Sequence, residues 1–339
     1  MNKNVYKYDD MKRSEHMAVR TTAGWYLWTH QLLEVTGPDA LDLLDYVFPN
    51  PIANLKVGRE RYTTMLDEKA EIIDDVVVFR VTEDKYWVST LFIYDMIKWF
   101  DAHKGSRNVE YKNITDTQVM FAVQGPKSLE MVNSLVEEPV DELKFFAFAE
   151  NKIDGKPALI NRAGFTGEKL GYEIYMAAEE MDFLSAKLAE AAEKVGGKQV
   201  TDVQLTAWSL PTEAGYFYMR DLRHCNPFEV GLERGINWDK EFIGKEALLK
   251  IKEVGPAREM VGFTMDEPDA RLNGKHTGGP GHPVTVNGEE IGRISKITYG
   301  YVKEIPIGYL LVKKGSVKVG DHVTLKGEYD AVITEKYFL

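Results

Sequence analysis

The chain has a single cysteine, Cys225, among its 339 residues. One cysteine can form neither an intrachain disulfide nor a multi-cysteine metal site, so we expect a reducing compartment and no bound metal. The chain also lacks an apolar run long enough to cross a membrane, and residues 1–16 lack the apolar core of a signal peptide. These absences predict a cytoplasmic protein that does not enter membranes.

An excess of positive charge is missing as well. The 42 basic side chains are outnumbered by 53 acidic ones, which gives a net charge of −11. This balance argues against nucleic acid and anionic membrane surfaces as partners. No internal repeat, low-complexity tract or G-x-G-x-x-G motif is present. The 44% hydrophobic and 28% charged residues are typical of a globular protein, and the length allows two or three domains.

Glycines and aromatic residues are concentrated in one stretch, residues 161–175, NRAGFTGEKLGYEIY. The glycines would let the backbone turn sharply or let a ligand approach closely. Phe165 and Tyr172 offer flat stacking faces, and Glu173 can accept two parallel N–H bonds. Such a site suits a flat heterocycle with adjacent ring N–H and amino donors, for example a pterin. The alternative is a Gly-rich turn that leads into a half-buried strand.

Two adjacent carboxylates, Asp74 and Asp75, interrupt the apolar strand EIIDDVVVF at residues 71–79. Burying a carboxylate is costly unless it is paired or protonated. Neighbouring strand residues point to opposite faces, so at most one of the two faces a given pocket. The alternative is that the strand follows a turn and that both carboxylates are solvated at its beginning.

Two further segments could contact a small ligand. Residues 25–30, WYLWTH, place Trp25, Tyr26 and His30 either in a pocket or in the core, and residues 218–224 carry three basic-type side chains, Arg220, Arg223 and His224. Aromatic walls and cationic side chains together suit an anionic ligand, including an aromatic one.

Short strands with turn residues between them follow residue 253 and predict a small β-barrel, in which Asn287-Gly288 marks a hairpin. Four motifs, in order along the chain, resemble the aminomethyltransferase family, which includes the T-protein of the glycine cleavage system. They are the Asp-Asp strand, the Gly-rich stretch, NPFEVGL at 226–232 and FIGKEAL at 242–248.

The resemblance implies an α+β fold, with a folate-binding catalytic region of two intertwined subdomains at 1–253 and a C-terminal β-barrel at 254–339. It implies tetrahydrofolate as the acceptor of a one-carbon unit. Glu173 would hold the pterin, and Asp75 matches the family's essential aspartate by position, with Asp74 in reserve. Three aromatic side chains would pack near the pterin: Phe165, Tyr62 and Tyr172. Two arginines that the family carries before the basic loop are absent, so the resemblance does not say how the rest of the folate is held.

The resemblance leaves the one-carbon donor open. The T-protein takes an aminomethyl group from a lipoyl arm on a partner protein, whereas several relatives demethylate small molecules. The aromatic segment and the basic loop favour a tetrahydrofolate-dependent methyltransferase that demethylates a small anionic or aromatic donor. A carrier protein of lipoyl or corrinoid type is a further candidate partner. The alternatives are an aminomethyltransferase of a glycine cleavage-type system and a non-catalytic folate-binding protein.

Overall fold

The computed structural model of the chain describes residues 7, 9–28, 31–275 and 279–339. Within this part, the strands form one sheet of 11 strands and one closed barrel. Helices cover the outer faces of the large sheet and connect it to the barrel. None of the helices in these ranges is long and apolar enough to cross a membrane.

Local sequence sets the ends of several helices. The side chain of Asp9 accepts a hydrogen bond from the backbone N–H of Lys12 and caps α1 (Asp10–Thr21). Gly196, with φ at 70°, ends α5 (Met181–Val195) in the left-handed conformation. The other α-helices are α2 (Ala40–Val47), α3 (Ile93–His103), α4 (Ser128–Asn133), α6 (Leu210–Glu213), α7 (Met219–Leu222), α8 (Pro227–Val230) and α9 (Lys245–Val254). Short 3₁₀ turns lie at Thr115–Thr117, Ala178–Glu180 and Glu233–Gly235.

The large sheet is antiparallel except where β1 pairs with β11. Its strands are β1 (Gly24–Leu27), β2 (Gln31–Thr36), β3 (Arg59–Leu66), β4 (Ile72–Arg80), β5 (Lys85–Thr90), β6 (Glu110–Asn113), β7 (Gln118–Gln124), β8 (Ala147–Ile153), β9 (Lys156–Arg162), β10 (Gly171–Ala177) and β11 (Lys198–Gln199). Their order across the sheet is β11-β1-β7-β10-β9-β8-β3-β4-β5-β2-β6. The two halves meet at β8 and β3, where Arg59 pairs with Ala147. Because β1 lies in one half and β2 in the other, the chain crosses between them soon after it begins.

The C-terminal strands close into the predicted barrel. They are β12 (Arg258–Thr264), β13 (Pro283–Val286), β14 (Glu289–Gly300), β15 (Ile305–Lys313), β16 (His322–Leu325) and β17 (Tyr329–Thr334), in the order β12-β15-β14-β13-β16-β17. Asn287 and Gly288 both have positive φ and form the hairpin between β13 and β14. The predicted α+β fold with a terminal barrel is confirmed.

The outer face of each half of the large sheet packs on helices. Phe121, Val123 and Ile174 pack with residues of α4 and α5, and the strands β2 to β5 pack with α2 and α3 in the same way. The opposite face is continuous across both halves, because the ring of Tyr175 lies 6.0 Å from that of Phe79. We call this side, which carries Tyr26, Phe79, Phe148 and Tyr175, the inner face.

The sequence predicts a helix over residues 202–215 that breaks or kinks at Pro211. The structure instead shows a π-helical segment, Leu205–Ser209, that continues into α6 with Pro211 in its first turn. Because the π-helical segment runs into α6 without a break, Pro211 lies inside a continuous helical stretch and leaves one backbone hydrogen bond of that stretch unmade. The irregularity therefore precedes the proline.

Candidate functional site

The inner face presents a row of paired residues that crosses five strands. Glu173 on β10 lies between Ala122 on β7 and Asn161 on β9, and the row continues to Tyr26 on β1 and Phe148 on β8. The structure therefore brings two predicted site residues, Glu173 and Tyr26, onto one face of the sheet.

Glu173 is held by two neighbours and shares one of them with a second carboxylate. The side-chain amide of Asn161 donates to Glu173 Oε2 at 3.0 Å and to Glu60 Oε2 at 2.8 Å. The hydroxyl of Tyr175 donates to Glu173 Oε2 at 3.1 Å. Glu60 on β3 is 4% exposed and Glu173 is 8% exposed. Sequence reasoning missed Glu60, because only the pairing of β3 with β8, the neighbour of β9, brings it here.

Several polar atoms in this cluster are buried without a hydrogen-bond partner among the described residues. They are Glu60 Oε1, Asn161 Oδ1 and the hydroxyl oxygen of Tyr26. Burial raises the pKa of both carboxyl groups, that of Glu60 well above its usual range. An ionised carboxylate that faces a largely apolar surface is a strong acceptor for N–H groups.

A cluster of aromatic rings surrounds Tyr26, which lies in the same row of the inner face as Glu173. The ring of Phe165 lies 4.4 Å from that of Trp28 and 6.4 Å from that of Tyr26, and Trp28 and Tyr26 are 6.3 Å apart. Phe165 and Trp28 are half-buried, so parts of their rings remain exposed. Trp28 was not among the predicted ligand residues, although it stands in the same aromatic segment. Together the rings and the carboxylates fit a flat heterocycle with N–H donors.

The glycines of the 161–175 stretch serve packing. A Cβ on Gly164 would lie 2.0 Å from the side-chain oxygen of Gln124, and one on Gly171 would lie 2.5 Å from its amide. Gln124 in turn donates to the Ala163 carbonyl and accepts from the hydroxyl of Thr166. The Gly-rich stretch therefore folds around one glutamine, Gln124, at the end of β7.

Arg20 on α1 ties the Gly-rich stretch to the rest of the molecule. Its guanidinium donates to Glu213 Oε2 at 2.9 and 3.1 Å, to Glu168 Oε1 at 2.6 Å and to two backbone carbonyls. Glu213 also accepts from the ring of His16 at 2.8 Å and from the backbone N–H of Val302 in the barrel at 3.0 Å. This buried network joins α1, the loop before β10, α6 and the barrel.

Asp75 lies on the inner face of β4. It accepts a hydrogen bond of 3.1 Å from the hydroxyl of Tyr62 on β3. Burial raises the pKa of Asp75 to about 6, with a smaller contribution from the charge of Asp221. Asp221 on α7 pairs at 3.1 Å with Lys296 of the barrel, and both side chains are 1% exposed. The barrel therefore contributes to the electrostatics around Asp75.

Asp74 points to the opposite face of β4 and is 1% exposed. Its carboxyl accepts from the hydroxyl of Thr90 at 2.5 Å and from the backbone N–H of Asp75 at 2.9 Å. Burial, together with the neighbouring Asp75 charge, raises the pKa of Asp74 to about 8. The geometry leaves Asp75, and not Asp74, on the face that carries Glu173.

Two other predicted residues, Tyr172 and Trp25, do not join this face. Tyr172 directly precedes Glu173, and Trp25 directly precedes Tyr26, so both point to the outer face. There they pack in the core against α4 and α5. The structure thus separates Tyr172 from the carboxylate it was predicted to flank. His30 lies outside the described residues.

The basic loop makes contacts at the surface. The guanidinium of Arg223 lies 4.8 Å from the ring centre of Phe92, and the ring of His224 pairs with Glu71 at 3.0 Å. Arg220, Arg223 and His224 are all exposed. Neither the Phe92 contact nor the Glu71 pair brings Arg223 or His224 to the aromatic residues near Glu173, so these two contacts do not form the predicted aromatic and cationic pocket.

Two known protein families match the chain over most of its length. The family described as the GCVT N-terminal domain matches residues 3–240, and the glycine cleavage T-protein C-terminal barrel domain matches residues 258–339. The chain belongs to the glycine cleavage T-protein family. The family resemblance predicted from the four sequence motifs is confirmed.

Relatives of this family named aminomethyltransferase match over most of the chain. That of Thermotoga sp. strain RQ2 is 34% identical over 91% of this chain and 83% of its own length. That of Halothermothrix orenii is 33% identical over 92% of this chain and 86% of its own length. The crystal structure of the glycine cleavage system aminomethyltransferase T from Bartonella henselae is 24% identical, covers 96% of this chain and 88% of its own, and has a TM-score of 0.83.

Membership of the family makes the chain a one-carbon transferase that uses tetrahydrofolate. The residues present fit that substrate. Glu173 is a buried acceptor for N–H groups, Tyr26 has a buried hydroxyl without a partner among the described residues, and Phe165 exposes part of its ring beside them. These features match a flat, donor-rich ring such as a pterin.

Proposed function

We propose that the protein is an aminomethyltransferase of a glycine cleavage-type system, which takes its one-carbon unit from a lipoyl-bearing carrier protein. In this reaction the methylene carbon leaves the lipoyl sulfur, which becomes a thiol, and joins two nitrogens of tetrahydrofolate, while the amine leaves as ammonia. The observation that carries the proposal is the match to relatives named aminomethyltransferase over 91% of the chain.

The inner face supports a division of roles between its two ends. Glu173 accepts N–H bonds from the pterin, with Phe165 against its ring. Asp75 lies on the same face, four residues along β4 from Phe79, which pairs with Glu60. Four strand residues correspond to roughly 13 Å, so an extended ligand held at Glu173 reaches toward Asp75.

Asp75 can move a proton at neutral pH. Burial raises its pKa to about 6, so the carboxyl group is mainly ionised at pH 7 but close enough to its pKa to take up and return a proton. A group with a pKa near the working pH is effective in general acid–base catalysis. Tyr62, at 3.1 Å, fixes the carboxylate on this face. We propose Asp75 as the proton-handling residue and Glu173 as the pterin-holding residue.

The prediction of a demethylase has less support. It depended on Arg220, Arg223 and His224 lining a pocket with the aromatic segment, and the contacts of Arg223 and His224 lie with Phe92 and Glu71 instead. The small anionic methyl donor is therefore the weaker hypothesis, and the lipoyl-bearing carrier is the better one.

A transfer assay with two donor arms tests the proposal. In one arm the purified protein receives an aminomethyl-loaded lipoyl carrier protein and tetrahydrofolate, and methylene-tetrahydrofolate and ammonia are measured. In the other it receives methoxylated aromatic acids, methylated amines or sulfonium compounds, and methyl-tetrahydrofolate is measured. The proposal predicts product in the first arm, lost in Asp75→Asn and kept in Glu150→Gln, which changes an exposed carboxylate of β8. Product in the second arm alone would overturn it.

A further inference from the structure

The pair formed by Glu60 and Glu173 contains one carboxylate more than the proposed pterin contact requires. Both carboxylates accept a hydrogen bond from the same side-chain nitrogen of Asn161, at 2.8 and 3.0 Å. The distance between their Oε2 atoms therefore cannot exceed the sum of these two distances. Both side chains are buried, at 4% and 8% exposure. Two like charges so close in a buried site strongly disfavour double ionisation.

The part of the chain that the structure describes supplies no cation that pairs with either carboxylate. Among the described residues, neither carboxylate makes an ion pair, and the other polar groups that face the pair are the hydroxyls of Tyr175 and Tyr26. Arg59 directly precedes Glu60 on β3 and points to the opposite face, so its charge attracts Glu60 without forming an ion pair with it. A buried pair without a cation is stable only if it retains a proton.

The hydrogen bonds favour placing that proton on Glu60. Glu173 Oε2 accepts two hydrogen bonds, from Asn161 and Tyr175, whereas Glu60 accepts one, from Asn161. Glu60 Oε1 is buried with no partner in the part of the chain that the structure describes. Donors stabilise the ionised form of the carboxyl group that receives them, so the negative charge belongs on Glu173.

We propose that Glu60 is a positioning residue of the folate site that remains protonated beside Glu173, so that the pair carries one negative charge. This inference rests on the proposed function, since it takes Glu173 as the group that holds the pterin. A single charge suits a neutral heterocycle with N–H donors, because no second ionised group is left without a partner when the ligand binds. Burial and the adjacent Glu173 charge also raise the pKa of Glu60 well above its usual range.

Infrared difference spectroscopy tests the proton directly and needs no folate. The spectrum of the wild type minus that of Glu60→Gln at pH 7 should contain the C=O stretch of a protonated carboxylic acid, shifted in D₂O. Glu150→Gln, which changes an exposed carboxylate on β8, should remove only carboxylate bands. If Glu60→Gln also removes only carboxylate bands, Glu60 is ionised and the proposal is wrong.

The pH dependence of folding gives a second readout. A carboxyl group whose folded pKa is raised binds a proton that the unfolded chain has released, so its contribution to stability decreases as pH rises above the unfolded pKa. The folding equilibrium constant of the wild type, divided by that of Glu60→Gln, should therefore fall about tenfold per pH unit above roughly pH 4.3. A ratio that is constant between pH 5 and 7 would contradict the proposal.

Tetrahydrofolate binding separates this inference from the proposed function. Glu60→Ala should weaken binding at least about fivefold, which corresponds to the loss of about one hydrogen-bond contribution, and Glu60→Gln should restore most of that loss. Equal loss in both variants would show that the ionised form of Glu60 is needed and would overturn the proposal. If Glu173→Ala binds tetrahydrofolate as tightly as the wild type does, the pterin is not held at Glu173 and the proposed function fails. The infrared result would still decide whether Glu60 is protonated.

Discussion

Replacing Arg20 by methionine should destabilise the protein far more than an ordinary surface substitution. The Arg20 side chain is 7% exposed, and Glu213, to which it donates two hydrogen bonds, is 1% exposed. Removing one partner of a buried ion pair leaves an uncompensated charge and costs about 3–5 kcal/mol. Burial lowers the pKa of His16, so at neutral pH its ring is neutral and Arg20 supplies the positive charge of the network.

The assay is urea denaturation, with Arg13→Met as the matched control on the same helix. Arg13 pairs with Glu304 at 2.6 Å, but the two side chains are 31% and 65% exposed, and such pairs contribute about 0–1 kcal/mol. The free energy of unfolding of the double variant Arg20→Met, Glu213→Gln should be about 0.5–3 kcal/mol higher than that of Arg20→Met, because the unpaired buried charge of Glu213 is removed. If Arg20→Met costs no more than Arg13→Met, the network does not stabilise the fold and the reasoning is refuted.

The same network should make the protein sensitive to acid. Burial alone would raise the pKa of Glu213, but the contacts with His16 and Arg20 outweigh it and lower that pKa. A carboxyl group with a lowered folded pKa stabilises the protein above its unfolded pKa of about 4.3, and the contribution is lost as pH falls through the folded pKa. In Glu213→Gln this part of the acid transition should disappear from a pH titration of stability.

Three further predictions concern single residues. Asp75→Asn should lower the transfer rate about 10²–10⁴-fold in a stopped-flow assay. The wild-type rate should rise with pH through about 6, where Asp75 ionises. An unchanged rate and an unchanged pH profile in the variant would contradict this role. The pKa of Asp74 is raised to about 8, so its carboxyl group should be neutral at pH 7 and ionised at pH 9. Thermal unfolding at pH 9 should therefore show Asp74→Asn to be more stable than the wild type. A lower melting temperature of the variant at pH 9 would contradict this prediction. Gly164→Ala should lower the free energy of unfolding in urea by about 1–3 kcal/mol, because the new Cβ would lie 2.0 Å from Gln124. Gly279→Ala is the control, because a Cβ at that position would meet nothing within 4 Å. Equal stability of the two variants would refute the packing argument.

The sequence predicts the fold well where local signals coincide with tertiary structure. The spacing of short strands after residue 253 predicts a barrel, and the strands from Arg258 to Thr334 close into one. The hairpin at Asn287-Gly288 also agrees with the local pattern. These features depend on hydrophobic periodicity and turn chemistry, which act over a few residues.

The candidate site depends more on pairing between distant strands. Glu60 lies near Glu173 because β3 pairs with β8 and because Asn161, the strand partner of Glu173, also donates a hydrogen bond to Glu60. No spacing in the sequence carries that information. The alternation of side chains along a strand separates Asp74 from Asp75, and it also turns Tyr172 away from its neighbour Glu173. The contacts of the basic loop depend on where α7 packs, which periodicity does not reveal.

Calorimetric titration of tetrahydrofolate into the wild type and Glu173→Ala tests the central claim most directly. The claim is that this carboxylate on the inner face holds the pterin. We expect micromolar binding to the wild type and at least tenfold weaker binding to the variant, since one hydrogen bond to a charged acceptor contributes about 1.5–3 kcal/mol. Equal affinity for the two proteins, or no binding to the wild type with the lipoyl carrier present, would contradict the account.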